Sequence, residues 1–358
     1  MISTKTKKKT GLRWLKIVAI VVVALVLLFT AATIVVTVLM NKKFGRADYL
    51  PQQVSMNYLY EHYENDYPRV NVSFTSGENT LRGYIYGADN DKGLLVFAHG
   101  IGSGHENYMK SLMWFVDNGW RVFAYDAAGS GHSDGAGTKG LPQSALDLNA
   151  ALNYIEADPE LSALPRFLMG HSWGGYAVTA VLNFGHKVDG VASVSGYAVP
   201  VEMIYEYAKN YVGDARFLIY PSICLYNGVL FGEYAGLSAV DGINNTDTPV
   251  LIIHGTSDEV IGYEESAIMH KRDLITNPNA EYLTLEGCNH KDMFDTPQGI
   301  AIKKEINETV NSMKQQGKPS ENELAAVYQS ADLDAVNQPN VEFLSQIENF
   351  FEEILDKQ

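Results

Sequence analysis

The hydrophobic pattern divides the chain into three parts. Residues 17–40 read IVAIVVVALVLLFTAATIVVTVLM, an apolar run without a single charge. A helix of about 20 such residues crosses the hydrocarbon core of a bilayer, so this run predicts a transmembrane helix. Residues 1–46 therefore form a basic tail and an anchor. Residues 47–69 form an aromatic-rich connector, and residues 70–358 form the body.

In the body, short apolar runs alternate with amphipathic segments. The predicted strands are 71–76, 81–88, 94–99, 121–126, 166–171, 188–196, 249–255 and 281–287. The predicted helices are 106–119, 142–158, 173–185, 263–276 and 341–355. Strands that are apolar throughout and alternate with helices predict an α/β fold, with a mostly parallel sheet covered by helices on both faces.

Two segments interrupt this alternation. Residues 198–245 separate two predicted strands by far more than one crossover helix needs, and they are rich in tyrosine and phenylalanine. Residues 303–340 are polar and acidic, which fits either an inserted helical excursion or a loose loop. The pattern assigns no function to the second segment.

Charge is distributed unevenly along the chain. The net charge is −15, yet the first 46 residues hold nine of the 27 basic residues and none of the 42 acidic ones. The acidic body would repel phosphate backbones, so nucleic acid is not an expected partner. The basic flank before residue 17 is heavier than the one after residue 40. We therefore expect a single-pass protein of the cell membrane with its body on the extracytoplasmic side.

A cleaved signal peptide is the alternative interpretation of the N-terminal run. Such peptides have an apolar stretch of about 7–15 residues followed by a small-x-small cleavage site. The run at 17–40 is longer, and the sequence VLMNKKFG that ends it has no such site. An uncleaved anchor is therefore the preferred interpretation.

The sequence contains two cysteines, Cys224 and Cys288. Two thiols provide neither a disulfide framework nor a four-ligand zinc site, and whether they pair is left open. The glycine-rich segment HGIGSGH at 99–105 lacks the lysine of a phosphate-binding P-loop. No metal or cofactor is expected, and the oligomeric state is not predicted.

Residues 170–175, Gly-His-Ser-Trp-Gly-Gly, lie between a predicted strand and a predicted helix. This is the G-x-S-x-G nucleophile elbow in its expected context, with Ser172 as the nucleophile. The serine must lie on a sharp turn above the sheet edge. Gly170 and Gly174 would let the strand and the helix approach closely.

A serine hydroxyl needs a base, and the base needs an acid that orients it. His290 follows the predicted strand 281–287, and Asp258 follows the strand 249–255, both at carboxyl ends where sites of open α/β sheets form. We predict His290 as the base and Asp258 as the acid. The competing acids are Glu259, Asp292 and Asp295, and His254 is interpreted as buried structure.

Acyl transfer also requires N–H donors for the developing oxyanion. The backbone N–H of Trp173, directly after the serine, is one predicted donor. The N–H of Ile101, in the glycine-rich loop 99–104, is the other. His99 is interpreted as a structural hydrogen-bonding residue, and Asp126 as the anchor of the loop that follows strand 121–126.

Five motifs in this order resemble those of the α/β-hydrolase superfamily. They are HGIG (99–102), YDAAGSGHSDG (125–135), GHSWGG (170–175), GTSDEV (255–260) and CNH (288–290). The chain is similar to its serine esterase and lysophospholipase (monoacylglycerol-lipase-like) group and to single-pass bacterial hydrolases. Ala128 stands where that group often has arginine. The resemblance implies the α/β-hydrolase fold, with residues 198–245 as a helical cap over the site.

These expectations combine into a serine hydrolase that cleaves carboxylic esters through an acyl-enzyme. The aromatic cap and the anchor favour a small ester substrate with a lipid-like or apolar acyl group. A serine peptidase of the aminopeptidase kind and an acyltransferase are alternatives on the same fold. A non-catalytic binding protein is the least favoured, because serine, acid and histidine are all present.

Overall fold

The computed structural model describes residues 4–357, with side chains described from Arg13 onward. Residues 1–3 of the expected basic tail lie outside the described residues, as do the side chains of the lysines before Arg13.

An eight-stranded sheet organises the body, in the order β1-β2-β4-β3-β5-β6-β7-β8. The strands are Arg69–Ser76, Asn79–Tyr86, Leu94–Ala98, Arg121–Asp126, Arg166–His171, Gly190–Val194, Val250–Gly255 and Ala280–Leu285, numbered β1 to β8. Only β1 and β2 run antiparallel to their neighbours, and β3 to β8 pair in parallel. The predicted mostly parallel sheet is confirmed, and each predicted strand overlaps an observed one.

Helices cover both faces of this sheet. In chain order, the described α-helices α1 to α13 are Thr4–Lys43, Tyr60–Tyr63, Met109–Asp117, Gln143–Ala157, Pro159–Ser162, Trp173–Ala180, Pro200–Val212, Tyr220–Phe231, Ala239–Asn244, Pro297–Gln316, Glu321–Gln329, Leu333–Val336 and Val341–Leu355. The predicted final helix, 341–355, is confirmed at both ends.

The core lies in two layers, one on each face of the sheet. In β3, Leu94 and Val96 pack in one layer, and Leu95 and Phe97 pack in the other. All four side chains are fully buried. A central strand that is covered on both sides has no polar face, and this explains the uninterrupted apolar run in the sequence.

The predicted helix over 263–276 is wrong. This segment consists of turns and a 3-10 helix at Met269–Leu274. Glu206 of α7 accepts hydrogen bonds from the backbone N–H groups of Gly262 (2.9 Å) and Ser266 (3.0 Å). A tertiary contact thus satisfies two backbone N–H groups of these turns, and the apolar periodicity of the segment did not reveal it.

The polar segment 303–340 is a helical excursion. Its first helix, α10, begins before the predicted boundary, where the Thr296 side chain accepts a hydrogen bond from Gly299 N (3.1 Å). The second, α11, opens with a capping box in which Ser320 and Glu323 each bond the other's backbone N–H. Cap residues of this kind define helix starts in a segment with few apolar positions.

The cap between β6 and β7 consists of α7, α8 and α9 with two short 3-10 segments. Among the described residues, two stretches are long and apolar enough to cross a membrane, Arg13–Lys43 in α1 and Tyr220–Asn244 in the cap. The most apolar part of α1 is fully exposed, whereas a third of the second stretch is buried. An exposed apolar helix of this length is typical of a membrane anchor or a signal sequence.

The connector after α1 is fastened to the body. The Arg46 guanidinium donates to the carbonyl oxygens of Gly131 (2.6 Å) and Ser133 (2.8 Å) in the loop after β4. The backbone N–H of Ala47 donates to Gly129 O at 2.9 Å, and that of Thr138 donates to Phe44 O at 2.8 Å. The end of α1 is therefore held beside the carboxyl ends of the strands.

Candidate active site

Ser172 lies on a strained turn between β5 and α6. Its φ of 59° is in the left-handed region, which is costly for a residue with a side chain. A Cβ on Gly170 would lie 2.2 Å from Gly174 O, and a Cβ on Gly174 would lie 1.9 Å from Ala98 O. Both glycines are therefore required by the close approach of strand and helix that the sequence predicted.

The helix α6 begins directly after this serine. Ser172 N donates to Val194 O of β6 at 2.8 Å, which ties the turn to the neighbouring strand. The first residue of α6 is Trp173, so the partial positive charge of the helix N-terminus lies next to the serine hydroxyl.

Hydrogen bonds join the three side chains predicted for acyl transfer. Ser172 Oγ lies 2.9 Å from His290 Nε2, and His290 Nδ1 lies 2.7 Å from Asp258 Oδ2. All three residues are less than a tenth exposed. A carboxylate only accepts, so Nδ1 is the donor to Asp258, and Nε2 is the nitrogen that faces the serine hydroxyl.

Asp258 is held as a carboxylate. Its Oδ1 accepts from the backbone N–H groups of Val260 and Ile261, both at 2.8 Å, and His254 Nε2 lies 3.2 Å from Oδ2. Burial alone would raise the pKa of Asp258. The hydrogen bonds from His254, His290 and the backbone outweigh burial and hold this pKa well below its ordinary value.

His171 and Tyr108 support the site, and sequence reasoning missed both. His171 Nε2 donates to His290 O at 2.8 Å, and the Tyr108 hydroxyl lies 2.8 Å from His171 Nδ1. Burial holds the pKa of His171 well below its ordinary value, so the ring is neutral and can accept from the tyrosine. His171 occupies a variable position of the elbow motif. Its place directly before Ser172 in the sequence is the one feature from which a role near the site could have been predicted.

The two predicted oxyanion donors line the same cavity as Ser172. Within the described chain, no hydrogen bond occupies the backbone N–H of Ile101 or of Trp173. A Cβ on Gly100 would lie 3.5 Å from Ser172 Cβ, so the loop backbone passes directly beside the serine. Gly100 N itself is bonded to the Tyr108 hydroxyl at 3.2 Å, which leaves the next N–H along the loop as the available donor.

The competing acids do not contact the predicted base. Asp295 pairs with Lys110 and Lys303, and Asp292 begins a short 3-10 turn. Glu259 is exposed. Among the described residues, none of these three carboxylates hydrogen-bonds or pairs with His290, whereas Asp258 does.

The interpretations of the other histidines agree with the structure. His254 is fully buried and lies 3.0 Å from Ile261 O through Nε2. His99 Nε2 accepts from Ala127 N at 2.9 Å.

Asp126 anchors the loop after β4, because its Oδ2 accepts from His132 N at 2.9 Å.

A cavity of about 80 Å³ opens beside the serine. Its lining is apolar apart from tyrosine hydroxyls, Ser172 and one charged side chain, Lys43. Met40, Lys43 and Phe44 of the α1 end form part of this wall, which sequence reasoning did not predict. Nothing in a predicted membrane helix indicates which part of the body it touches.

In the described residues, no group of three or more histidine, cysteine, aspartate or glutamate side chains has an arrangement that could hold a metal ion. Cys224 is exposed and Cys288 is half-buried, and the two are free. The question of their pairing, left open by the sequence, is thereby answered.

Comparisons with known proteins fit this geometry. A family model described as "Serine aminopeptidase, S33" matches residues 89–215, a segment that includes Ser172 and ends before Asp258. The uncharacterized protein YfhR of Escherichia coli O157:H7 is 25% identical over 272 residues, covering 69% of this chain and 86% of YfhR. The uncharacterized protein YqkD of Bacillus subtilis is 24% identical, covering 65% of this chain and 76% of YqkD.

Among solved structures, an esterase of Pyrococcus furiosus superposes with a TM-score of 0.53 and 18% sequence identity, covering 77% of this chain and all of that one. At this identity the likeness concerns the fold, which is the α/β-hydrolase fold. The matched segment 89–215 spans less than half of the chain, so what this likeness and the order of strands show is the α/β-hydrolase fold.

Proposed function

We propose that this protein is a serine hydrolase that cleaves carboxylic esters with apolar, lipid-like acyl groups. The observation that carries the proposal is the hydrogen-bonded series Ser172–His290–Asp258, which opens into an apolar cavity. The exposed apolar helix supports a second part of the proposal, in which α1 is an uncleaved single-pass anchor and the hydrolase domain at 70–358 is on the extracytoplasmic side of the membrane.

In the first half of the proposed reaction, Ser172 Oγ attacks the ester carbonyl and His290 Nε2 takes its proton. Asp258 stabilises the imidazolium that forms. The backbone N–H groups of Ile101 and Trp173 receive the oxyanion, and each such donor contributes about 3 kcal/mol of barrier lowering. His290 then returns the proton to the departing alkoxide, which leaves an acyl-enzyme on Ser172.

In the second half, water repeats the attack. His290 Nε2 takes a proton from the water as it adds to the acyl carbonyl, the same two N–H groups hold the oxyanion, and the carboxylic acid leaves as Ser172 regains its proton. An acyltransferase would use an alcohol in place of this water, and no observation here favours a particular alcohol.

The family description raises the aminopeptidase alternative. Such an enzyme must hold a free α-ammonium group, for which a carboxylate is the natural partner. The one charged side chain among the described residues that line the cavity is a cation, Lys43. A positive lining disfavours a positively charged substrate terminus, so an ester remains the better-supported substrate.

The test uses the full chain in detergent or vesicles, because α1 forms part of the cavity wall. The wild type should hydrolyse p-nitrophenyl esters, and Ser172→Ala should lose turnover by about 10⁴-fold or more while its unfolding transition is unchanged. A fluorophosphonate should label the wild type at Ser172 and fail to label the variant.

The matched control is Ser195→Ala. Ser195 is also a buried serine with a left-handed backbone, φ 50°, and it follows the neighbouring strand β6. This variant should keep wild-type activity. Turnover by Ser172→Ala at the wild-type rate would assign the chemistry to another group, and faster cleavage of an aminoacyl amide than of esters would favour the peptidase.

A further inference from the structure

The anchor helix α1 packs along the cap. Thr33 Oγ1 donates to Ser222 Oγ at 3.0 Å, and the Tyr226 hydroxyl donates to Asn41 Oδ1 at 3.1 Å. Between these two bonds, Val36 of α1 is buried. The pairing of Thr33 with Ser222 and of Asn41 with Tyr226 shows that α1 and α8 run in the same direction.

This packing fixes the depth of the cap relative to a membrane. Thr33 lies seven residues before Met40, the last residue of the apolar run, which is about 10 Å along a helix. The run of 17–40 is about 36 Å long and the hydrocarbon core is about 30 Å thick. A centred α1 therefore ends only about 3 Å outside the hydrocarbon, and the start of α8 lies within the outer leaflet.

The cap surface at that depth is apolar and exposed. Phe217 and Leu218, which immediately precede α8, are 63% and 65% exposed. Residues 217–232 contain no charge. The helix α8 has 12 residues, about 18 Å, so it is too short to span the bilayer; its start lies in the outer leaflet and its end lies beyond the hydrocarbon. This exposed apolar surface is compatible with contact to lipid, which is what the depth of α1 predicts for it.

A second apolar cavity, of about 330 Å³, lies between α1 and the first cap helix. We name it the α1–α7 cleft. Ala31, Ala32 and Val35 line it from α1, and Ala208, Tyr211 and Val212 line it from α7. Five of these six side chains are alanine or valine, which leaves room between the helices.

The α1–α7 cleft adjoins the cavity at the serine. Met40, Ile204 and Tyr207 line both spaces and form the partition between them. The space beside Ser172, about 80 Å³, is small against the roughly 300–1,000 Å³ of ligand sites. A long acyl chain must therefore extend beyond it. Met40 is an unbranched, adaptable side chain at the partition, so a rotamer change can join the two spaces.

We propose that the α1–α7 cleft is the acyl-chain site and that the substrate enters it sideways from the outer leaflet. Its occupant is the acyl chain of an amphiphilic ester dissolved in the membrane. The anchor helix is thus part of the substrate site as well as an attachment. This inference rests on the proposed esterase activity and names the substrate class of the same site.

The first test fills the cleft. Val35→Trp adds bulk on the cleft face of α1, and Val38→Trp adds the same bulk at a position of similar exposure that does not line the cleft (56% and 61%). In phosphatidylglycerol vesicles, Val35→Trp should hydrolyse a long-chain ester about tenfold more slowly than Val38→Trp, a change equivalent to about 1.4 kcal/mol. Measured relative to the rate on p-nitrophenyl acetate, whose acyl chain is too short to reach the cleft, the long-chain rate should fall in Val35→Trp and should keep the wild-type ratio in Val38→Trp.

The second test needs no turnover. Ser172→Ala in vesicles that carry a phospholipid with a diazirine at the end of its acyl chain should crosslink, on illumination, at residues lining the cleft. Adding Val35→Trp should remove these crosslinks, and adding Val38→Trp should keep them. Mass spectrometry locates the modified residues.

The two tests separate the two proposals. Equal long-chain rates in Val35→Trp and Val38→Trp, or crosslinks confined to the outer faces of α1, would contradict the proposal that the cleft binds the acyl chain. The proposed esterase activity would still stand if the protein hydrolyses short esters. Crosslinks in the cleft without hydrolysis of any ester would retain the lipid site and reject the esterase.

Discussion

Two buried histidine–aspartate pairs in this protein have nearly the same geometry and different surroundings. His290 Nδ1 lies 2.7 Å from Asp258 Oδ2, and His105 Nδ1 lies 2.8 Å from Asp126 Oδ1. In both pairs burial acts to raise the pKa of the aspartate, and the histidine partner helps to hold it below its ordinary value. The pair alone therefore does not identify a reaction centre.

The difference lies on the far side of each ring. His290 Nε2 faces the Ser172 hydroxyl at the edge of a cavity. His105 Nε2 faces the Tyr86 hydroxyl at 2.9 Å, the Tyr84 ring stacks on it with centroids 4.2 Å apart, and the residue is fully buried. A base needs a nucleophile beside it and a space for substrate; His105 faces a hydroxyl, but both side chains are fully buried and a substrate has no access to them.

The second pair instead fastens the connector to the body. The Tyr49 hydroxyl of the connector donates to Asp126 Oδ1 at 2.5 Å, and the same oxygen accepts from His105 N at 3.1 Å. Asp126 also holds the loop after β4. The pair His290–Asp258 would transfer protons, whereas the pair His105–Asp126 holds three segments of the chain together.

The largest expected effect is on activity. His290→Asn should lower kcat/KM by about 10⁴- to 10⁶-fold with an unchanged unfolding midpoint, since it removes the base and leaves the fold. His105→Asn, the matched variant of the other pair, should keep kcat/KM in its folded fraction and lower the midpoint. Similar losses of kcat/KM in both variants would contradict a catalytic role for one pair and a structural role for the other.

Asp258→Asn should lower kcat by about 10⁴-fold, because an amide no longer fixes the proton on His290 Nδ1 or stabilises the imidazolium. Steady-state kinetics on p-nitrophenyl butyrate measures this. Glu259→Gln, one residue away and exposed, is the control and should be neutral. A tenfold or smaller loss for Asp258→Asn would remove it from the proposed mechanism.

Asp126→Asn should destabilise the protein by about 2–4 kcal/mol, since it leaves buried donors facing an amide that cannot accept from all of them. Urea unfolding of the full chain in detergent gives the change. kcat/KM of the folded protein should stay close to wild type. An unchanged free energy of unfolding would contradict the structural role.

The same carboxylate should make stability depend on pH. The pKa of Asp126 is held below its ordinary value in the folded protein, so its contribution is present above the unfolded pKa of about 3.9 and is lost as pH falls toward the folded value. The wild type should lose stability below about pH 4, and Asp126→Asn should lose less over the same range. Parallel curves for the two proteins would contradict this assignment.

The smallest effect is expected for Tyr49→Phe, which removes one hydrogen bond to Asp126 and keeps the ring. A loss of about 1 kcal/mol in the free energy of unfolding is expected. Tyr58→Phe, which removes a hydrogen bond to Asp334 from an exposed position, should change stability less. Equal changes in the free energy of unfolding for the two variants would mean that burial does not strengthen the bond between Tyr49 and Asp126.

Sequence alone predicted much of this arrangement. The strand ends at β4 and β5 and both ends of α13 were predicted to the residue, because apolar runs and turn residues are local. The positions of Ser172, Asp258 and His290 followed from strand ends, since the carboxyl ends of parallel strands meet at one edge. Their catalytic roles stay predictions until the variants above are measured.

Only the tertiary structure decided the rest. The sequence predicted the apolar part of α1 at 17–40, which lies within the observed Thr4–Lys43, but packing put Met40 and Phe44 into the wall of the predicted site. Nor did it reveal that His171 supports His290, that His105 pairs with Asp126, or that Glu206 binds the turn at Gly262. Each of these depends on contacts between segments far apart in the chain, and periodicity and short motifs report only what neighbours along the chain prefer.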